Sequence, residues 1–238
     1  MRWVVGAAAD AAVDLYAAYA MPNGPFVRAN FATSVDGRVE LEGVSKGVSS
    51  DIDREVFHVM RALCDVVLAG AQTVRAESYG PARPTAERIE IRRAYGYADV
   101  PPIAVVTRSG RLDPSSALFT EAKVRTIVLA PERSLPDLVS LRDVAEVVVC
   151  GDTEVEPALA VAALAVRGLG RVLCEGGPRL HHALLEAGQL DELCLTLSPL
   201  TAGGNSQRLA VAPLTPPVSL PIRHVLEHEG SLFLRCRR

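Results

Sequence analysis

Three places in the sequence set glycines or hydroxyls between an apolar run and the start of a helix: Gly70 with Thr73, Thr107-Arg108-Ser109, and Glu175-Gly176-Gly177-Pro178. The first turn of a helix has backbone N–H groups without partners and a partial positive charge. Glycine lets a phosphate come close to them. Two such turns suit a pyrophosphate. Thr107-Arg108-Ser109 offers a guanidinium and two hydroxyls, a set suited to an isolated phosphate such as the 2′-phosphate of NADP. Pro178 strengthens the third turn, because proline at the first helical position needs no N–H partner. A fourth polar stretch, Thr33-Ser34-Val35-Asp36-Gly37, closes the apolar run that begins at Phe26. A strand that stops in hydroxyls, a carboxylate and a glycine puts polar atoms at the rim of a sheet, where ligands of open α/β sheets sit. Asp36 is the candidate for orienting or protonating a substrate. The competing reading is a carboxylate that only stabilises its own turn before Gly37.

Other chemistries find no support. Among the histidines (His58, His181, His182, His224, His228) the one pair at His-x-x-x-His spacing, His224 and His228, falls in a run read as a hairpin strand and not on a helix, so no metal is expected. A zinc-deaminase signature, a Walker loop and the Rossmann Gly-x-Gly-x-x-Gly pattern are missing, and Gly43-Val-Ser-Lys-Gly47, which has the Gly-x-Ser-x-Gly spacing, falls in a loop rich in Gly, Ser and charge and makes no nucleophile elbow. Net charge is −3, with Lys and Arg dispersed, which argues against a nucleic-acid surface. Five cysteines, odd in number and set mostly in apolar runs, suit free thiols in a reducing compartment. The apolar N-terminal stretch is short and soon meets Asp10 and Asp14, and no apolar run approaches the ~20 residues that span a bilayer. The expectation is a cytoplasmic protein that touches neither membrane nor nucleic acid.

The elements that must position these residues follow from periodicity. Hydrophobic residues make up 49% of the 238 positions, enough for a full core. Residues 1–25 read as an N-terminal helical arm, Ala-rich and helix-compatible over 10–20 and ended by Pro22-Asn23-Gly24-Pro25, leaving 26–238 as one domain. Ser50 caps a helix in which Ile52, Val56, Phe57, Met60 and Leu63 recur at helical spacing. Asp65–Gly70, Ile103–Thr107, Thr126–Ala130, Glu146–Cys150 and Arg171–Glu175 are near-continuous apolar runs, the mark of strands covered on both faces. Helices are expected between them, including Glu156–Gly168 and one around Leu180–Gly188. Residues 78–102 read as a long loop with a helix near Ala86–Arg93. Asp191–Ser198 alternates like a strand, and Gly230 separates two runs that read as a hairpin. The fold class is α/β: a single three-layer domain with a mixed, mostly parallel sheet, helices on both faces and a C-terminal antiparallel hairpin.

In this order, Ser34-Val-Asp-Gly37, Asp53-Arg54, Gly70-x-x-Thr73-Val74, Glu175-Gly-Gly-Pro178 and Asp191-Glu-Leu with Pro199 and Gly203-Gly204 resemble the reductase domain of riboflavin biosynthesis, of dihydrofolate-reductase-like fold. The match runs from about Phe26 to the C-terminus. It is nearest to stand-alone actinobacterial members through Ala104–Asp113 and Asp191–Thr196. The resemblance implies NADPH as hydride donor, a small-molecule substrate and a homodimer. It implies that Thr33, Gly70, Thr73, Val74, Glu77 and Gly151 contact the cofactor, that Glu175, Gly176, Gly177 and Pro178 hold its pyrophosphate, and that Thr107, Arg108 and Ser109 meet the 2′-phosphate. Asn30, Ser34 and Asp36 would face the substrate, with Ser49 and Arg54 on its phosphate. The chain departs from the bifunctional enzymes in lacking a deaminase segment, in Asn30 where they carry lysine, and in Glu77-Ser-Tyr-Gly-Pro81 where they carry Asp-x-Pro. The basic ligand for the ribosyl phosphate is then either missing or relocated, with Arg83 as the candidate. The activity implied is reduction of 5-amino-6-(5-phosphoribosylamino)uracil. Dihydrofolate-type reduction and a non-catalytic NADP-binding protein are the alternatives.

Overall fold

The computed structural model describes residues 1–5, 12–41, 43–204 and 208–238. The strands are β1 (Arg2–Val5), β2 (Phe26–Ser34), β3 (Val66–Gly70), β4 (Ile103–Val106), β5 (Thr126–Ala130), β6 (Ala145–Val149), β7 (Arg171–Cys174), β8 (Glu192–Ser198), β9 (Ile222–His228) and β10 (Ser231–Arg237). The helices are α1 (Leu15–Tyr19), α2 (Asp51–Ala62), α3 (Ala71–Ala76), α4 (Ala86–Ala94), α5 (Ala117–Thr120), α6 (Pro157–Ala165) and α7 (Pro178–Glu186). Short 3₁₀ segments cover Ser45–Val48 and Glu132–Leu141.

All described strands join one sheet in the order β1-β9-β10-β8-β2-β7-β3-β4-β5-β6. From β8 to β6 every pairing is parallel; β1, β9, β10 and β8 pair antiparallel. The period of two along each strand sends neighbours to opposite faces. Val67, Ala69, Ile103, Val105, Val128 and Leu173 enter one core with Val56, Val59 and Met60 of α2 and Val74 of α3. Val66, Leu68, Ala104, Ile127, Leu129 and Val172 enter the other with Ala160 and Leu164 of α6 and Leu184 and Leu185 of α7. These are the three layers expected, and the hairpin β9–β10 closes the sheet as read. The helix at Ala86–Ala94 also stands where the sequence puts it. Its buried Arg92 donates to the carbonyls of Arg61 (2.9 Å), Cys64 (3.0 Å) and Ala98 (2.6 Å), docking α4 on the end of α2.

The N-terminal segment differs from a purely helical arm. It contributes the five-residue α1 and, ahead of it, the edge strand β1. The Arg2–Glu227 ion pair (2.7 Å) and the register Trp3↔Leu226 fix β1 on β9. Its partner lies more than 200 residues away, so a four-residue run carries no local signal for it. Residues 6–11 of the expected arm lie outside the described residues.

A buried ionic cluster ties this end together. Glu192 accepts from Arg28 (2.5 Å) and Arg235 (2.7 Å), with the Arg28 and Glu192 side chains fully buried. Arg28 also donates to the carbonyl of Tyr19, and Arg235 to those of Ala18 and Ala20. The orphan carbonyls at the end of α1 are thereby satisfied from the sheet. Among the described residues no helix is long and apolar enough to cross a membrane.

His224 on β9 packs edge-on against Trp3 (5.2 Å) and Tyr19 (5.5 Å), and burial pulls its imidazole from about 6.5 down to about 4. Because the folded value is the lower one, the unfolded chain binds the extra proton between these limits. The His224 contribution to stability is therefore intact above about pH 6.5 and is lost as pH falls toward 4. Urea midpoints measured across that window should decline less steeply in His224→Phe than in the native chain.

Candidate active site

The C-terminal ends of β2, β3, β4 and β7 open into a cavity of about 1090 Å³, with Asn30, Gly70, Val106 and Glu175 on its floor. The parallel strands all stop on this side, so the helices that follow β3 and β7 start here. Helix α7 begins at Gly177 without a side-chain cap and with Pro178 at its first turn. Its first bond runs from His181 N–H to Gly177 C=O (3.1 Å). The N–H groups of Arg179 and Leu180, which line the cavity, are left to a ligand or water. Helix α3 likewise begins at Gly70 without a side-chain cap. The two turns are stitched together by Gly70 N–H donating to Gly176 C=O at 2.7 Å.

Glycine is required at both following positions. Gly176 has φ of +93°, and a Cβ there would sit 3.0 Å from the Phe31 ring. A Cβ on Gly177 would sit 2.8 Å from Thr73 Oγ1. The carboxylate of Glu175, just before them, does not face the cavity as a free group. It takes two parallel bonds from Arg61 of α2 (2.6 and 2.7 Å) and one from the hydroxyl of Tyr79 (2.7 Å). Arg61 in turn stacks over Phe57 (4.4 Å).

Asn30, Ser49, Arg54, Gly70, Thr73, Glu77, Thr107, Arg108, Ser109, Glu175, Gly177 and Pro178 are all brought to this one cavity. Several already have partners. Ser49 bonds Asp53, Arg54 pairs with Asp51, and Arg108 pairs with Glu154 at 3.0 Å. Glu77 accepts from the Ser45 N–H at 2.7 Å, and buried Thr107 holds its own turn by accepting from Gly110 N–H at 3.1 Å. The remaining candidates stand elsewhere. Thr33 and Ser34 are buried in β2, and Val74 belongs to the core beneath α3. Gly151, at φ of +118°, lets the backbone pass so close that a Cβ would meet Glu154 C=O at 2.3 Å; it shapes the turn beside the cavity. Gly176 lends its carbonyl to the Gly70 stitch.

Asp36 is also away from the lining. It accepts from Ser34 Oγ (2.5 Å), Gly203 N–H (2.6 Å) and Ala202 N–H (3.2 Å). Those bonds, that from Ser34 first, hold its carboxyl down at about 2, so it carries no proton to give near neutrality. Arg38 reinforces the clamp by donating to Gly203 C=O (2.8 Å). The turn-stabilising reading of Asp36 is the one this geometry favours, with a distant loop as what it stabilises.

Sequence reasoning passed over Lys46, Phe57, Arg61, Tyr79 and Arg179, all in the lining. Lys46 and Arg179 form no ion pair among the described residues. Arg83, the expected substitute base, lies outside the lining and pairs with Glu121. A single lysine in a polar loop and an arginine at the start of an amphipathic helix look like solvated surface until the fold sets them beside a cavity. A smaller cavity of about 510 Å³ adjoins the first and is lined by Arg108, Ser109, Arg111, Arg133, Ser134 and Asp137. Among the described residues no cluster of His, Cys, Asp and Glu could hold a metal ion.

The sequence profile of the RibD C-terminal domain matches residues 25–227. The chain belongs to this family. It is 29% identical over 188 residues to the 2,5-diamino-6-ribosylamino-4(3H)-pyrimidinone 5′-phosphate reductase of Methanothermobacter thermautotrophicus, covering 79% of this chain and 83% of that one. It is 30% identical over 185 residues to the enzyme of the same name from Archaeoglobus fulgidus, covering 76% and 83%. Among solved structures, a pyrimidine reductase-like protein from Corynebacterium diphtheriae superposes with a TM-score of 0.83 at 26% identity, over 94% of this chain and 98% of that chain. The RibD C-terminal fold of this chain thus accounts for the cavity at the parallel strand ends.

The tight contact at Gly177 gives a direct test of the turn. Gly177→Ala should cost about 1–3 kcal/mol, as expected for overpacking. Adding Thr73→Ala, which removes the obstructing hydroxyl, should restore part of that loss in urea titrations.

Proposed function

We propose that this chain is a nicotinamide-dependent reductase acting on a 6-ribosylaminopyrimidine 5′-phosphate. The observation that carries this reading is one cavity lined by two anion-favouring groups. One is the uncapped start of α7 with Arg179. The other is Lys46, Ser49 and Arg54. The first suits a cofactor pyrophosphate, the second a sugar phosphate. The curated relatives, which this chain matches over most of their length, are named as reductases of such a compound.

The residues fit a nicotinamide cofactor on grounds of space and donors. Gly176 and Gly177 leave the turn free of side chains, and free N–H groups of α7 face the cavity. When bound, the cofactor supplies a hydride. The chain's residues do the rest. Lys46 and Arg54 hold the substrate phosphate, and Asn30, on the floor, offers an amide that can donate and accept. Phe57, Phe31 and Leu180 form apolar walls that limit water around the reacting carbon. On this reading the ribosyl C1′, opened as the C=N form, gains the hydride, the ring-linked nitrogen gains a proton, and a ribityl chain results.

NADPH is the proposed donor, because Arg108, Ser109, Arg111 and Arg133 gather around the adjoining smaller cavity, a setting for a phosphate dianion. The five cysteines are free thiols, in keeping with a cytoplasmic enzyme. A homodimer is part of the same proposal, and light scattering on the eluting protein would test it.

Consumption of NADPH absorbance should follow addition of the 2,5-diaminopyrimidinone phosphate or its C2-carbonyl counterpart, the uracil, and not of dihydrofolate. Turnover of dihydrofolate alone would replace this substrate class with a pterin. Tight NADPH binding with no turnover of any of the three would leave a non-catalytic binding protein. Lys46→Ala should raise KM for the phosphorylated substrate about tenfold or more, the size of one lost charge-assisted contact. Arg133→Ala should weaken NADPH far more than NADH; equal weakening would remove Arg133 from 2′-phosphate recognition.

A further inference from the structure

We propose that Tyr79 is a positioning residue whose hydroxyl fixes the Glu175 carboxylate and, through it, the Gly176-Gly177-Pro178 turn that receives the cofactor phosphates. The proposal rests on the reading of that turn given above. Three observations carry it.

The first is the saturation of Glu175. Its carboxylate is 2% exposed and takes three hydrogen bonds, two from Arg61 and one from Tyr79. A buried ionised carboxylate needs its lone pairs filled, so each donor constrains where the group can lie. Its backbone is held as well, by Glu175 N–H donating to Leu68 C=O at 2.9 Å. With both ends fixed, the next two glycines, which have no side chain of their own to anchor them, leave the strand in one direction.

The second is how Tyr79 gets there. Helix α3 ends at Ala76, and Ser78 then adopts φ of +48°, a conformation uncommon outside glycine. Tyr79 N–H donates back to Val74 C=O at 3.0 Å. This reversal turns the Tyr79 ring under the cavity. A non-glycine residue held in this region marks a place where the surroundings over-determine the backbone. Burial, with the Glu175 charge beside it, pushes the phenol well above its ordinary range, so the hydroxyl keeps its proton and acts as donor.

The third is the location of the whole unit. Phe57, Arg61, Tyr79, Glu175 and Gly177 all line the main cavity. Arg61 lies over the Phe57 ring (4.4 Å) and the Tyr79 ring (5.6 Å), so ring contacts add to the paired bonds that hold the guanidinium.

The test is the NADPH dissociation constant by calorimetry in the full chain, with kcat and KM measured beside it. Tyr79→Phe keeps the ring and should weaken NADPH about tenfold, with KM for NADPH rising in step and kcat changing far less. Because Tyr79 acts through Glu175, the double variant with Glu175→Gln should bind no more weakly than Glu175→Gln alone. An unchanged dissociation constant in Tyr79→Phe, or additive losses in the double variant, would overturn the proposal. A loss of thermal stability with NADPH affinity intact would overturn it too. Should Tyr79→Phe fail to fold, Arg61→Lys, which removes one of the paired bonds to the same carboxylate, carries the test with the same expected signature. Native protein that binds no NADPH would overturn the cofactor reading itself, a result distinct from any of these.

Discussion

Strands β3, β4, β5 and β7 are buried on both faces, so polar side chains can appear on them only at their ends. That constraint governs this molecule. Val66 to Ala69, Ile103 to Val105, Ile127 to Ala130 and Val172 to Cys174 have no room for a polar side chain, because successive residues enter one core or the other. Since these strands are parallel, their ends lie along one rim, and the helices that follow β3 and β7 open onto it. Glycines at the crossings, Gly70, Gly176 and Gly177, keep the rim clear of side chains. The cavity is what remains when the cores are full.

Two buried ionic clusters solve related problems at opposite ends of the sheet. Arg28, Glu192 and Arg235 lie where the parallel strands meet the antiparallel hairpin, and they satisfy the last carbonyls of α1. Arg61, Glu175 and Tyr79 lie where a strand, a helix and an irregular turn meet under the cavity. A buried ion pair gives little net stability against an apolar replacement, but removing one partner leaves a charge stranded. Such clusters therefore specify geometry more than they add stability. Here the specified geometry is the direction in which the chain leaves β7.

The Asp36 turn separates residue type from role. An aspartate before glycine at a strand end invites a catalytic reading. The fold instead points its carboxylate at two N–H groups of the 202–203 backbone, and those bonds keep it ionised. It joins the start of the chain's first parallel strand loop to a loop more than 160 residues later, and the cavity is bounded by other groups.

The periodic features were legible in the sequence. The apolar runs gave the parallel strands, the 3.6-residue spacing gave α2, and glycines at strand ends gave the rim, because each depends on near neighbours along the chain. Most of the candidate cofactor and substrate residues were also found this way, and they do share one cavity. Only the tertiary structure decided the rest. Strand β1 exists because Trp3 and Arg2 meet β9. Lys46 and Arg179 count because the fold brings them to the lining of the cavity, whereas Arg83 pairs with Glu121 outside it. Glu175 reads alone as a cofactor ligand and becomes, once Arg61 and Tyr79 arrive from two other elements, a fixed point of the scaffold. Hydrogen-bond partners far apart in sequence leave no periodic trace, so which polar groups are free to act is settled only when the chain is folded.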